Sequence, residues 1–139
     1  MNRIDANVVL RYLLDDHEQL SEKAAEMIDN EQVFLSFEVI CEIVYVLMGV
    51  YNTPRPEIAA TLKDFLQVGN IATNDQSVVS TALDLFAQRN IDFVDAILCA
   101  YHKHNGDSIL SFDKKIATIM KEHQITVHPL LPNKDKDHE

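Results

Sequence analysis

The sequence predicts an α/β fold: a parallel β-sheet flanked by helices on both faces. Three observations carry this. Short apolar runs bounded by turn residues alternate with longer segments whose apolar positions recur at helical spacing, the pattern of strand–helix–strand units. The 139 residues are 47% hydrophobic, enough for one core and too short a chain for a second domain. Only three Gly and four Pro are spread over that length, so no linker or low-complexity tract divides it. One domain is therefore expected over 1–131, followed by a frayed polar tail, "PNKDKDHE", over 132–139.

Taken in order, "NRIDA" is a short strand running into the helix "NVVLRYLLDD", with Asp5 at the junction. "SEKAAEMIDN" reads as an amphipathic helix with Ser21 near its start, and "QVFLS" as a compact buried strand. "FEVICEIVYVLMGVY" gives the longest helical signal, apolar on nearly every side, and Gly49, Asn52 and Pro54 mark its end. In "RPEIAATLKDFLQV" the residues Ile58, Leu62, Phe65 and Leu66 share one helical face, and Pro56 suits the first turn. "NIATN" is a brief strand. The helices "DQSVVSTALDLFAQRN" and "DFVDAILCAYHKHNG" follow, the second closed by Gly106. "SILSF" is expected as a fourth strand leading into the helix "DKKIATIMKEH", and "ITVHPLL" as a last edge strand. In a sheet of this kind ligands bind beyond the carboxyl ends of the strands.

Composition excludes several functions. No apolar run reaches the roughly 18 residues of a membrane span, and "MNRIDANVVLRYLL" lacks a signal peptide's basic start and long apolar core, so a soluble cytoplasmic protein is expected. Cys41 and Cys99 stand alone in apolar surroundings and read as core thiols rather than a disulfide or zinc site. His102 and His104 are two apart, on different faces of a helix, and read as surface residues. The formal charge of −10 argues against holding nucleic acid by a basic field, so a phosphate substrate would need a metal ion to supply the attraction.

The acidic residues at element boundaries then gain interest. Asp5 and Asp113 each follow an apolar strand and precede a helix, where a carboxylate commonly caps free backbone N–H groups. Asp92 and Asp95 lie three apart at a helix start, where one can cap and the other meet the helix dipole. Glu42 sits among Val39, Ile40, Ile43, Val44, Val46 and Leu47, with no Arg or Lys within a helical turn, and needs a neutralising partner if buried. The predicted topology brings the ends of the first and fourth strands and the start of the penultimate helix to one edge, where these carboxylates converge. Two of them about 5 Å apart repel by roughly 3 kcal/mol at an effective dielectric near 20, so an ionised cluster requires a counter-cation. All-oxygen ligands favour Mg²⁺ or Mn²⁺. One or two such ions lower the pKa of a bound water and hold phosphate oxygens, the requirements of a metal-dependent phosphodiesterase.

"RIDANVVLRYLLDD", the Glu42 of "SFEVICEIVYVL", "DFVDAILCAY" and "ILSFDKK" together resemble the PIN-domain ribonucleases, most closely the VapC-type toxins of bacterial toxin–antitoxin pairs. The match runs from Arg3 to about Leu130, in family order and spacing. The resemblance implies a three-layer α/β/α fold and a catalytic and metal-binding set of Asp5, Glu42, Asp95 and Asp113. It adds Asp92 as a further acidic position and Asn7 and Ser111 as polar positions that orient ligands or water. Ala6 departs from the family's usual Thr or Ser, which removes a hydroxyl but no ligand. The resemblance also implies a homodimer, endonucleolytic cutting of RNA and a cognate antitoxin protein that blocks the site. Arg11, Lys114 and Lys115 are the basic residues nearest the site by sequence, either RNA-backbone contacts or solvated helix charges.

Two rivals remain. A phosphoacceptor receiver domain is also a parallel α/β sheet, but "ITVH" offers no Lys closing a fifth strand and Glu42 would be unexplained. A PIN-like module that holds RNA or a protein without cutting it would keep the same carboxylates.

Overall fold

A computed structural model describes residues 1–127 of the chain. In chain order the elements are β1 (Asn2–Arg3), α1 (Ala6–Leu14), α2 (Glu18–Asn30), β2 (Val33–Phe34), α3 (Phe37–Gly49), α4 (Arg55–Leu66), β3 (Ile71–Ala72), α5 (Gln76–Gln88), α6 (Phe93–Asn105) and α7 (Lys114–Val127). The three strands are parallel in the order β1-β2-β3, with Asn2 opposite Val33 and Val33 opposite Ile71. Parallel strands cannot be joined by a tight hairpin, so each connection returns as a helical pair: α1 and α2, then α3 and α4. The result is the expected three-layer α/β/α arrangement, mostly helical. Its core is aliphatic, with Val9, Ile28, Leu35, Ile40, Ile43, Ile58, Leu62, Val78, Leu83 and Phe86 fully buried.

The elements end where local chemistry ends them. Asp5 and Asp75 cap α1 and α5, their carboxylates accepting from Val8 N and Val78 N. Gly106 closes α6 at φ 74°, a left-handed position glycine adopts without strain, and its N–H donates to His102 O. Ser21 lies one turn inside α2 rather than at its cap, where its hydroxyl donates to Arg11 O and ties α2 to α1.

Two expected strands do not form among the described residues. Ser108–Phe112 forms no strand, and Leu110 and Phe112 are 96% and 106% exposed. Local hydrogen bonds hold this segment instead: His102 Nδ1 to Asp107 O at 2.8 Å, and Asp113 N to Ser111 Oγ at 3.0 Å. Such bonds compete with a sheet ladder, and the two-residue β1 offers a very short edge to pair with. The edge strand expected over "ITVHPLL" is also corrected, because Ile125–Val127 belong to α7, whose Ile116 and Ile119 are buried. β-branched residues cost a helix only a few tenths of a kcal/mol each, roughly, so α7 continues through them. Residues 128–131 and the tail expected over 132–139 lie outside the described residues.

The α6–α7 contact carries a pH-sensitive element. The His102 and His123 rings stack with centroids 6.0 Å apart and planes at 16°, and His123 Nδ1 is buried without a hydrogen-bond partner among the described residues. Burial, then the charges of Lys103 and His102, hold the His123 pKa below the ordinary histidine value. The folded chain therefore resists a proton that the unfolded chain accepts near 6.5. Stability is fully present above that pH and falls as the pH drops through it. Urea denaturation from about pH 7.5 to about pH 5.5 is expected to show this loss, and His123→Leu to reduce the slope.

Candidate functional site

The acidic residues were expected where the ends of the first and fourth strands meet the start of the penultimate helix; the fourth strand does not form, and Asp113 instead precedes α7 directly. Asp5 follows β1 and is exposed; its Oδ1 accepts from Val8 N at 3.0 Å, so one of its oxygens is committed to capping α1. Asp113 does the same for α7, its Oδ1 accepting from Lys115 N at 2.7 Å and Ile116 N at 3.2 Å. Capping thus uses one oxygen of each, and a carboxylate has two. Asp92 occupies the cap position of α6 but makes no side-chain capping bond. Its charge is not spent on the helix.

Asp95 stands in the first turn of α6 and is half-buried. Its pKa is raised, first by desolvation and then by the negative charges of Asp92 and Asp113. Every contribution opposes the charge. Those three carboxylates therefore share one field, although Asp113 arrives from a different helix. One turn further along α6, burial and then Asp95 push the Cys99 thiol up to about 11, so Cys99 is an inert core thiol.

Asp5 and Glu42 are not among the charges acting on Asp95. Only the helix of Glu42 adjoins its own: α3 packs on α6, where the Phe37 and Tyr101 rings meet at 6.1 Å, and α1 packs on α3. Glu42 itself is exposed, which corrects the expectation that it lies in an apolar environment and needs a neutralising partner. The apolar side chains around it in sequence turn inward, Ile40, Ile43, Val44 and Leu47 being buried, while Glu38, Glu42, Tyr45 and Gly49 form the outer stripe.

The second-tier residues are also placed. Asn7 is exposed on the first turn of α1. Ser111 Oγ accepts from Asp113 N and so orients the backbone that carries that aspartate. Of the basic candidates, Arg11 pairs with Asp16 at 2.9 Å and Lys115 Nζ donates to Asn90 O at 2.8 Å. Those contacts favour internal roles for both. Lys114 is exposed beside Asp113.

Three contributors were missed in the sequence. Asn74, just past β3, accepts Phe37 N at 2.8 Å and fixes the start of α3. Glu38 has its pKa lowered by backbone and Ser36 hydrogen bonds and by Arg3. Arg55 Nη1 lies 3.2, 3.1 and 2.7 Å from the carbonyls of Phe86, Arg89 and Ile91, with its guanidinium over the Phe86 ring at 4.3 Å. It thereby shapes the connection that delivers Asp92. A signal for Arg55 existed: a cation in the first turn of a helix opposes the dipole and calls for acceptors from elsewhere.

Among the described residues no three His, Cys, Asp or Glu side chains stand close enough together to enclose a metal ion. The donor chemistry still fits a hard divalent cation, because Mg²⁺ keeps several waters and is commonly held by only one or two carboxylates. Asp95 and Asp113, which come from different helices yet act on one another, are of that kind, with Asp92 adding charge beside them. No helix among the described residues is long and apolar enough to cross a membrane.

No curated protein and no solved structure matches the chain significantly. The family model described as PIN domain matches residues 4–122, which takes in α1 through α6, most of α7 and every carboxylate considered above; the chain therefore belongs to the PIN-domain family, whose general activity is that of a nuclease.

Proposed function

We propose that this protein is a metal-dependent endoribonuclease that hydrolyses RNA phosphodiester bonds, acting as the toxin of a toxin–antitoxin pair of the VapC type. The observation that carries this reading is Asp95, half-buried in the first turn of α6 and ionising against Asp92 and Asp113, with no positive charge offsetting them among the described residues. A divalent cation, Mg²⁺ or Mn²⁺, is the natural counter-charge, and when bound it acidifies water and neutralises phosphate oxygens. Asp95 and Asp113 hold it, with Asp5 and Glu42 completing the acidic set from α1 and α3 and Asp92 adding charge. Asn7 and Ser111 orient ligands or water, and Lys114 is the best placed of the basic residues to meet RNA backbone. Arg11 and Lys115 contribute through their existing contacts. A homodimer and a cognate antitoxin that reaches the carboxylates with Arg or Lys belong to this reading, as does a cytoplasmic location.

The test is cleavage of a total cellular RNA pool with Mg²⁺, Mn²⁺ or EDTA, beside Asp95→Asn. Discrete cuts that need metal and vanish in the variant are expected. A second reading is favoured by the oxygens that Asp5 and Asp113 commit to helix caps: a PIN-like module that binds RNA or protein without cutting. Retained RNA binding with no cutting of any RNA under all three conditions would establish that module and end the nuclease proposal.

A further inference from the structure

The first turn of α3 is held from all three strands. Ser36, just past β2, is the cap residue of α3 and is buried, yet its side chain makes no capping bond. Its hydroxyl is hydrogen-bonded instead to Glu38, whose carboxylate also meets the charge of Arg3 on β1. The capping bond comes from beyond β3, where Asn74 Oδ1 accepts from Phe37 N at 2.8 Å. Just before it the β2–β3 ladder closes with Leu35 N donating to Ala72 O at 2.8 Å, so the Asn74 bond extends the register of the sheet into the helix. The Phe37 ring meets Tyr101 of α6 at 6.1 Å. Through its amide and its ring, Phe37 therefore ties α3 to the sheet on one side and to the helix of Asp95 on the other.

We propose that Asn74 is a positioning residue for the cleavage reaction: by capping α3 from the end of β3 it sets the rotation of that helix, and so the place of Glu42 relative to the helix of Asp95. The inference rests on the ribonuclease reading and extends it to a residue that touches neither metal nor RNA. Successive residues of a helix are turned by about 100°, so a one-residue slip of α3 against the sheet carries Glu42 off the stripe it shares with Glu38. Ser36 holds the competing bond. Serine is a good cap, and without Asn74 its hydroxyl is free to turn from Glu38 to a first-turn N–H, which re-forms the start of α3 on local terms and releases Glu38. The role needs only an acceptor at position 74, and an aspartate there keeps one.

Amide hydrogen exchange at Phe37 tests the cap, and the Mn²⁺ dependence of cutting tests the positioning, in wild type, Asn74→Ala, Asn74→Leu and Asn74→Asp. Phe37 N–H should be protected in wild type and Asn74→Asp and exchange faster in the other two. The substrate is the total cellular RNA pool, at a temperature below the melting of each variant compared. Asn74→Ala and Asn74→Leu should need roughly 10- to 100-fold more Mn²⁺ for half-maximal cutting, the range for losing a partner that orients a ligand, and should approach the wild-type rate at saturation. Asn74→Asp should match wild type throughout. Asn74→Leu matches asparagine in size and keeps the comparison open if truncation to Ala unfolds the chain. A rate that falls equally at every Mn²⁺ concentration would make Asn74 merely structural, and undiminished Phe37 protection in Asn74→Ala would remove the cap; either result overturns the proposal. Failure of wild type to cut at any Mn²⁺ concentration ends the ribonuclease reading and the positioning role with it, while the exchange data still show whether Asn74 caps α3.

Discussion

Asp95→Asn is expected to reduce RNA cleavage by on the order of 10³-fold, about 4 kcal/mol of transition-state stabilisation, while raising the thermal stability of the metal-free protein at neutral pH. Both effects have one origin. The carboxylate is half-buried and faces Asp92 and Asp113, so its ionised form is penalised in the folded chain. In the unfolded chain it ionises near 3.8, and the folded form does so at higher pH. Below the unfolded value the group is protonated in both states and costs nothing. As the pH rises past that value the folded state loses stability, and the loss is complete once folded Asp95 is ionised. Asparagine cannot ionise, so the stabilisation by Asp95→Asn should be absent in acid and develop as the pH rises. Mn²⁺ should raise the melting temperature of wild type more than that of the variant, because only wild type has the charge to be neutralised. Differential scanning fluorimetry across pH, with and without Mn²⁺, reads both trends. A variant that melts lower than wild type at every pH would mean that Asp95 is structural.

The second large effect is expected at Phe86. Phe86→Ala should cost about 4 kcal/mol and lower the melting temperature by roughly 10 °C or more. Phe86 is fully buried, meets Phe93 edge to face at 5.9 Å and 88°, and lies under the Arg55 guanidinium. Removing it leaves a cavity between α5 and α6 and takes away the surface on which Arg55 rests. Arg55→Ala should cost less, about 3 kcal/mol, by leaving the carbonyls of Phe86, Arg89 and Ile91 without that donor. Arg55→Lys should recover only part of this, since an ammonium lacks the planar guanidinium face that stacks on the ring. The two sites share one contact, so the double variant should be less destabilised than the sum of the singles. Strict additivity in urea denaturation would show that Arg55 and Phe86 act independently. Because the same connection delivers Asp92 to the site, Arg55→Ala should also reduce cleavage at temperatures where the variant is folded.

Much of the fold was legible because periodicity is a local property. The span of α3 follows from "FEVICEIVYVLMG", and Gly106 marks the end of α6 because a left-handed residue there relieves the last turn. Asp5, Asp92 and Asp113 were found at element starts for a similar reason, since boundary chemistry is written in a few neighbouring residues. Strand formation is different. "SILSF" has a strand's composition, but a strand needs a partner edge, and its own neighbours His102 and Ser111 supply competing bonds. "ITV" likewise suits a strand by composition and is helical because α7 already anchors on Ile116 and Ile119.

Residue order and type were sufficient for the layered α/β class, the existence of the helices and the acidic candidates, because each depends on spacing along the chain, whereas the start of α2 and the end of α7 differ from what the spacing predicts. Exposure and partnership required the tertiary structure. Glu42 has apolar neighbours in sequence, yet helical rotation turns them inward and leaves it on the surface. Asp113 and Asp95 are 18 positions apart and belong to different helices, yet they act on one another because α7 packs against α6. Whether a carboxylate is spent on a cap, as for Asp5, or left uncapped, as for Asp92, is a matter of side-chain geometry at equivalent positions. Charge repulsion and burial depend on distance through space, which folding sets and sequence separation does not.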